Sequence, residues 1–374
     1  MATRSILVLL STAGGGDRQP VVSLATSLHQ SGHRVTILCD RDTAAMAAAT
    51  GLPSIIHDVE QVGYISGWAR SLAEDPAPPN PFLKWGRLAH VEVRQACVEL
   101  DPDLIVSSLF CMGLADLLAE DLSIPWCLVN PSFYFGEHST RTWEEDWHGP
   151  LVPRLARECF TPLVDRADLV LHATDPLFDV VPAQLPTSHH YVGFLLWEPT
   201  QAEPDFLRTP GDPWALVTAS TSRPSDEETM LRTAVGALTG RPVRTVLTLP
   251  RHDSDAVDFP GALVTGHAPH TPILRQSALA INQAGHGIVS KCLTYGVPMV
   301  LLPWDADQPG VAARAAGLGV AAVVPRESIS SHNLSQAVGE VLDGAGYRQA
   351  AAAVSSALAD RRPAEQAVAL VEEL

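Results

Sequence analysis

The sequence predicts an α/β protein built as two doubly wound parallel-sheet domains. Short apolar runs of strand length alternate with stretches of helical length along most of the 374 residues, the signature of repeated βαβ units. The series is interrupted by a polar, proline-marked segment from Trp197 to Pro213 and then begins again. The length exceeds one typical domain and suits two, each large enough for its own core. The expected division is an N-terminal domain at 1–197, a linker at 198–213, a C-terminal domain at 214–360 and a final helix at 361–374 able to pack back on the N-terminal domain.

The first half opens with an apolar strand from Ser5 to Leu10, the turn TAGGGD, an amphipathic helix from Val21 to Gln30 and a second strand from Arg34 to Cys39. Further strands are expected at Leu104 to Ser108, Trp126 to Asn130 and Leu169 to His172, with helices around Gly113 to Glu120 and Leu151 to Arg166. Glu74 to Phe82 (EDPAPPNPF) and Gly136 to Gly149 are proline-rich or aromatic and are expected as loops, where binding residues concentrate. Among the aromatics, Phe82, Trp143 and Trp147 fall in these loops and are candidates for an apolar pocket, with plain core as the alternative.

In the second half, strands are expected at Ala215 to Ala219, Arg244 to Leu249, Leu263 to Gly266, Ala278 to Asn282, Pro298 to Leu302 and Val320 to Val324, followed by helices after Ser330. Ser220 and Thr221 end the first of these and can cap a helix or touch a phosphate. The stretch from His267 to Gln308 is the richest. Gly285 and Gly287 separate a buried strand from a helix, where free amides and the positive end of the helix dipole favour an anion. The following strand delivers Trp304, Asp305, Asp307 and Gln308 to the same edge. Ligands are expected at the carboxyl ends of the strands, in the crevice between the halves.

Composition narrows the partners. A formal net charge of −17 argues against nucleic acid and against stable membrane association, so an anionic ligand must be held by a local device. The six cysteines form no CxxC pair and fall mostly in apolar patterns, as reduced core residues of a cytoplasmic protein would. No segment has transmembrane length, and Ile6 to Leu10 is too short for a signal sequence. His267 and His270 have a spacing that a metal can use, but Pro269 lies between them and no further ligands cluster nearby.

The segments HAPH, NQAGHG, YGVPMVLLPWDADQPGVAARAAGLGV and AGGGDRQPVVSLATSLHQSGHRVTI resemble the nucleotide-sugar-dependent glycosyltransferases of the GT-B fold, the group that includes plant natural-product and bacterial antibiotic enzymes. The likeness covers both halves, with little contribution from about Ile55 to Pro210. It implies two Rossmann-like domains facing across a cleft, a cytoplasmic monomer or homodimer, and no cofactor, the nucleoside-diphosphate sugar being a co-substrate.

The resemblance also assigns residues. Asp17 matches the general base, a role that a carboxylate at a helix start can fill, although an N-cap fits the same position. His-based members add a carboxylate at the position of Ser108, which an Asp base does not need. Gly285, His286, Gly287 and Ile288 match the pyrophosphate site. Gln283 and Ala284 stand where a His and a Gly are usual, and glutamine can donate a hydrogen bond but carries no charge. His267 takes the place of the residue that stacks on the base, and Ala268 that of its neighbour. Lys291 replaces a glutamate that accepts from ribose hydroxyls, which points to a deoxyribose nucleotide such as dTDP, to a compensating charge near the pyrophosphate, or to a solvated lysine. Asp307 and Gln308 match sugar contacts, and Asp305 with Asp307 is not expected to bind a metal.

The function implied is inverting transfer from a dTDP- or UDP-sugar to a small hydrophobic acceptor. A nucleotide-sugar epimerase or hydrolase, or a non-catalytic nucleotide-sugar-binding auxiliary protein, remains open on the sequence.

Overall fold

The computed structural model describes residues 2–11, 16–61, 71, 75, 79–134, 156–218, 227–249, 258–266, 268–304 and 306–374. These group into two compact units, the first running to residue 134 and including 156–197 and 362–374, the second running from Glu198 to Arg361. The segment 198–213, expected as a linker, therefore belongs to the second unit. Arg244 holds it there by donating to the carbonyls of Thr209 (2.6 Å) and Asp212 (2.7 Å), with its guanidinium over Trp214.

The first unit is a seven-stranded sheet ordered β3-β2-β1-β4-β5-β6-β7. Its strands are β1 Ser5–Leu10, β2 Arg34–Asp40, β3 Ser54–His57, β4 Leu104–Ser108, β5 Trp126–Asn130, β6 Leu169–His172 and β7 His189–Tyr191. Every pairing is parallel. β1 is buried at all six positions, as a central strand covered by helices on both faces must be. The helices are α1 Arg18–Gln30, α2 Ala44–Ala49, α3 Pro81–Leu100, α4 Met112–Leu122 and α5 Thr161–Val164.

One expectation is corrected here and another is refined. Pro81 and Phe82 do not belong to a loop but open α3, because Asn80 caps it by accepting from the Phe82 amide (2.9 Å) and Pro81 supplies a pre-set first position. The described part of the helix expected at Leu151 to Arg166 is a π turn at Ala156–Phe160 followed by the single turn of α5.

The second unit is a six-stranded parallel sheet ordered β10-β9-β8-β11-β12-β13. The strands are β8 Trp214–Thr218, β9 Arg244–Thr248, β10 Ala262–Thr265, β11 Ser277–Asn282, β12 Met299–Leu301 and β13 Ala321–Val323. Its helices are α6 Glu227–Leu238, α7 His270–Leu274, α8 His286–Tyr295, α9 Gln308–Gly317, α10 Ser331–Asp343 and α11 Ala345–Leu358. The last helix, α12 Pro363–Glu373, returns to the first unit and buries Ala367, Val368 and Val371 in the core shared with α1.

In each sheet the strand order reverses once, between β1 and β4 in the first and between β8 and β11 in the second. Loops leaving adjacent strands toward opposite faces open a crevice at such a point, where α/β proteins bind their ligands.

Candidate functional site

Asp17 lies just past the end of β1, beside the reversal point of the first sheet. It occupies the N-cap position of α1 but has a helical backbone (φ −71°, ψ −20°), and its side chain makes no capping bond. The N-cap reading is thereby excluded. The residue is 4% exposed. Burial raises its pKa to about 7, against the lowering influence of Arg18, the Ser108 hydroxyl and the Phe110 amide. A carboxylate poised between its two states near neutral pH can take a proton from a hydroxyl.

Ser108 ends β4 on the other side of the reversal, fully buried. Beneath this pair the Ser11 hydroxyl meets the Gln61 side-chain carbonyl, and the Gln61 amide donates to the carbonyl of Phe110 at 2.5 Å. Gln61 thus ties the exits of β1 and β4 together. Nothing in its sequence neighbourhood marks it, because both partners are remote in the chain. The buried thiol of Cys111 is pushed up to about 12 by burial, so it stays protonated at neutral pH.

Phe82 does not line a pocket. It is fully buried, with its ring 4.9 Å from Phe160 and 5.9 Å from Phe110, so it is core. Trp143 and Trp147 lie outside the described residues.

In the second unit the turn after β11 carries the predicted anion site. Asn282 Oδ1 accepts from the Ala284 amide (2.9 Å), and Ala284 sits in the left-handed region at φ 59°. Gly285 then takes the N-cap of α8 with no side chain to cap it, and His286, Gly287 and Ile288 form the first turn. The first-turn amides of Gly287 and Ile288 have no acceptor within the helix. Gln283 is buried, and its amide nitrogen faces the Met230 sulfur at 3.6 Å, a weak acceptor. Burial, with Arg314 nearby, lowers the His286 pKa to about 3, so its imidazole is neutral at pH 7. The positive potential at this turn therefore comes from backbone amides, the helix end and the nearby Arg314 guanidinium rather than from His286.

The neighbouring strand β12 leads to Trp304, Asp307 and Gln308. Ala306 is left-handed at φ 54°, and the Gln308 side-chain carbonyl closes the turn by accepting from the Trp304 amide (2.7 Å). Asp307 is the N-cap residue of α9, its carboxylate making no capping bond. β11 and β12 are adjacent, so both turns share one edge of the sheet. Ala268 precedes α7, which packs against α8. Ser220, Thr221, His267 and Asp305 lie outside the described residues.

Lys291 corrects the sequence reading most clearly. Its side chain is 4% exposed and pairs with Glu198 at 2.6 Å, so it is neither a solvated lysine nor a charge left over for the pyrophosphate. Its identity therefore carries no information about the ribose. Glu198 also accepts from the amides of His270 (2.8 Å) and Thr271 (3.0 Å). Burial tends to raise the Glu198 pKa, but Lys291 and Thr271 hold it below the usual carboxylate value. Periodicity could not reveal Glu198, which meets its partners only through the fold.

Comparison with known proteins matches both units. Residues 233–373 match the family described as "Erythromycin biosynthesis protein CIII-like, C-terminal domain", and residues 15–184 match "Glycosyl transferase 4-like domain". Relatives include 4'-demethylrebeccamycin synthase of Lentzea aerocolonigenes, 28% identical over 60% of this chain and 54% of that protein. O-mycaminosyltylonolide 6-deoxyallosyltransferase of Streptomyces fradiae is 25% identical over 98% of this chain and 97% of its own. The match thus spans about half the length of the first relative and nearly all of the second. Among solved structures, the calicheamicin glycosyltransferase CalG4 superposes with a TM-score of 0.77 at 18% identity, covering 100% of this chain and 99% of its own. Glycosyltransferase VinC in complex with dTDP gives 0.71 at 18% identity, covering 98% of each. The sheet orders, the turns at their edges and these matches to both halves agree: the chain belongs to the GT-B natural-product glycosyltransferases.

Proposed function

We propose that this chain transfers a sugar from a nucleoside-diphosphate sugar to a small, largely apolar natural-product acceptor, with inversion at the anomeric carbon. The observation that carries the reading is Asp17, a buried carboxylate with a pKa of about 7 at the reversal point of the first sheet. The acceptor oxygen attacks the anomeric carbon while Asp17 takes its proton. The bond from that carbon to the diphosphate oxygen breaks with its electron pair, and the nucleoside diphosphate departs. The first-turn amides of α8 stabilise the charge that develops on it, and Asp307 and Gln308 orient the sugar. Because amides and the helix dipole supply this stabilisation, transfer is expected to persist in chelator.

A dTDP-sugar is the preferred donor in this reading. Its support is the structural likeness to VinC, solved with dTDP, and the S. fradiae relative, named for a 6-deoxyallosyl transfer to O-mycaminosyltylonolide. Thermal shift with dTDP, UDP and GDP tests the donor class, with the largest stabilisation expected from dTDP. Asp17→Asn tests the base: it should bind the nucleotide as the wild type does and lose transfer. Wild-type turnover by Asp17→Asn would overturn the role.

A further inference from the structure

Helix α7 begins immediately after Ala268 and Pro269, yet nothing local caps it. Pro269 occupies the N-cap position and has no side-chain acceptor to offer. The amides of His270 and Thr271 are satisfied instead by Glu198, 72 and 73 residues earlier. The same carboxylate accepts from Lys291 of α8, the helix whose first turn forms the anion site. One side chain therefore ties the start of α7 to the middle of α8, and so joins two segments assigned to opposite ends of the donor, the base-side loop and the pyrophosphate helix. His270 is fixed a second time by contact of its Nε2 with the Thr248 hydroxyl at 3.1 Å.

We propose that Glu198, held by Lys291, is a positioning residue for the donor nucleotide: it sets the spacing between the Ala268 loop and α8. The inference rests on the donor reading given above. A carboxylate is required because it must accept from two amides and an ammonium at once, more than a neutral side chain of the same size can do. The ammonium is required because Lys291 is almost wholly buried, and its attraction holds the carboxylate against the two helices.

Single removal of Glu198 leaves a buried ammonium unpaired and can unfold the unit, so the informative variant removes both charges, Glu198→Gln with Lys291→Met. Folding is checked by thermal melting, and binding by titration calorimetry with dTDP and UDP. The double variant should fold and bind dTDP about tenfold or more weakly, because small misplacements of binding groups are costly. The donor KM should rise while the acceptor KM stays within about twofold, a split that general loosening would not give. Lys291→Arg, which keeps the charge, should recover most of the affinity. A folded double variant that binds dTDP as the wild type does overturns the clamp alone. Failure of the wild type to bind either nucleotide overturns the donor reading and the clamp with it.

Discussion

Asn282 holds Ala284 in a left-handed conformation, through a 2.9 Å hydrogen bond from the Ala284 amide to its side-chain carbonyl. Alanine pays for that conformation with a clash between its Cβ and the backbone, about 1 kcal/mol that glycine avoids. Ala284→Gly should therefore raise stability by about 0.5–1 kcal/mol in denaturant titration, with no loss of dTDP affinity. Asn282→Ala should act the other way. It removes the bond that enforces the turn, so stability should fall by about 1–2 kcal/mol and dTDP binding should weaken as the first turn of α8 loses its lead-in.

The buried Asp17 sets stability and activity against each other. Its pKa is raised from 3.8 to about 7, so the folded protein holds this proton more tightly than the unfolded chain does. The associated stability is complete below about pH 4 and is lost as pH rises through about 7. In the proposed role as base Asp17 must be ionised, so kcat/KM should rise with pH through about 7 and then level off. Asp17→Asn, which mimics the protonated side chain, should be more stable than the wild type at pH 8 by on the order of 2–4 kcal/mol. Equal melting temperatures of the two proteins at pH 8 would contradict the shift.

The central strands were legible because parallel strands covered on both faces carry continuous apolar runs, as in Ile6 to Leu10 of β1, Leu104 to Val106 of β4 and Trp126 to Val129 of β5, all buried. The edge strands β3 and β7 were not. Ser54 and Ile56 of β3 are exposed, and β7 reads His-His-Tyr, so neither shows an apolar run. Helix α3 does carry a helical spacing in Phe82, Trp85, Ala89, Val93 and Cys97, all buried, but the proline-rich run before it suggests a loop. In the candidate site, the turn after β11 announces itself by its glycines, although the left-handed position there is held by Ala284 and Gly285 has an ordinary φ of −65°. The partner of Lys291 does not, because Glu198 is distant in sequence and meets it only after folding, and Ser108 beside Asp17 was reached only through the family resemblance.

Gly86 of α3 and Gly113 of α4 let two helix backbones touch. A Cβ on Gly86 would lie 2.7 Å from the Gly113 carbonyl carbon, and one on Gly113 would meet the Phe82 carbonyl at 2.5 Å from its carbon. Neither obstacle is a flexible side chain. Gly113→Ala must push the helices apart and should cost about 2–3 kcal/mol. Because α4 follows directly from the segment holding Ser108 and Phe110, the variant should also lower kcat. Gly236→Ala is the control: its Cβ would meet nothing within 4 Å, and an alanine inside a helix should be neutral or slightly stabilising.

Helix α12 completes the first unit's core rather than decorating it. Val371 is 1% exposed and Ala367 fully buried among residues of α1 and β1. Arg4 donates to the carbonyls of Val371 and Glu372 (3.2 Å each), and Glu372 Oε1 lies 3.1 Å from His33 Nε2. A guanidinium at a helix C-terminus satisfies carbonyls that have no partner within the helix and complements its dipole. Val371→Asp buries a carboxylate in an apolar contact and should cost about 3 kcal/mol or more. Arg4→Ala, which only returns carbonyls near the surface to water, should cost about 1 kcal/mol. Since both substitutions fall in the first unit, dTDP affinity below the melting transition should stay at the wild-type value. If Val371→Asp instead weakened dTDP binding in the folded protein, the assignment of nucleotide binding to residues of the second unit alone would be wrong.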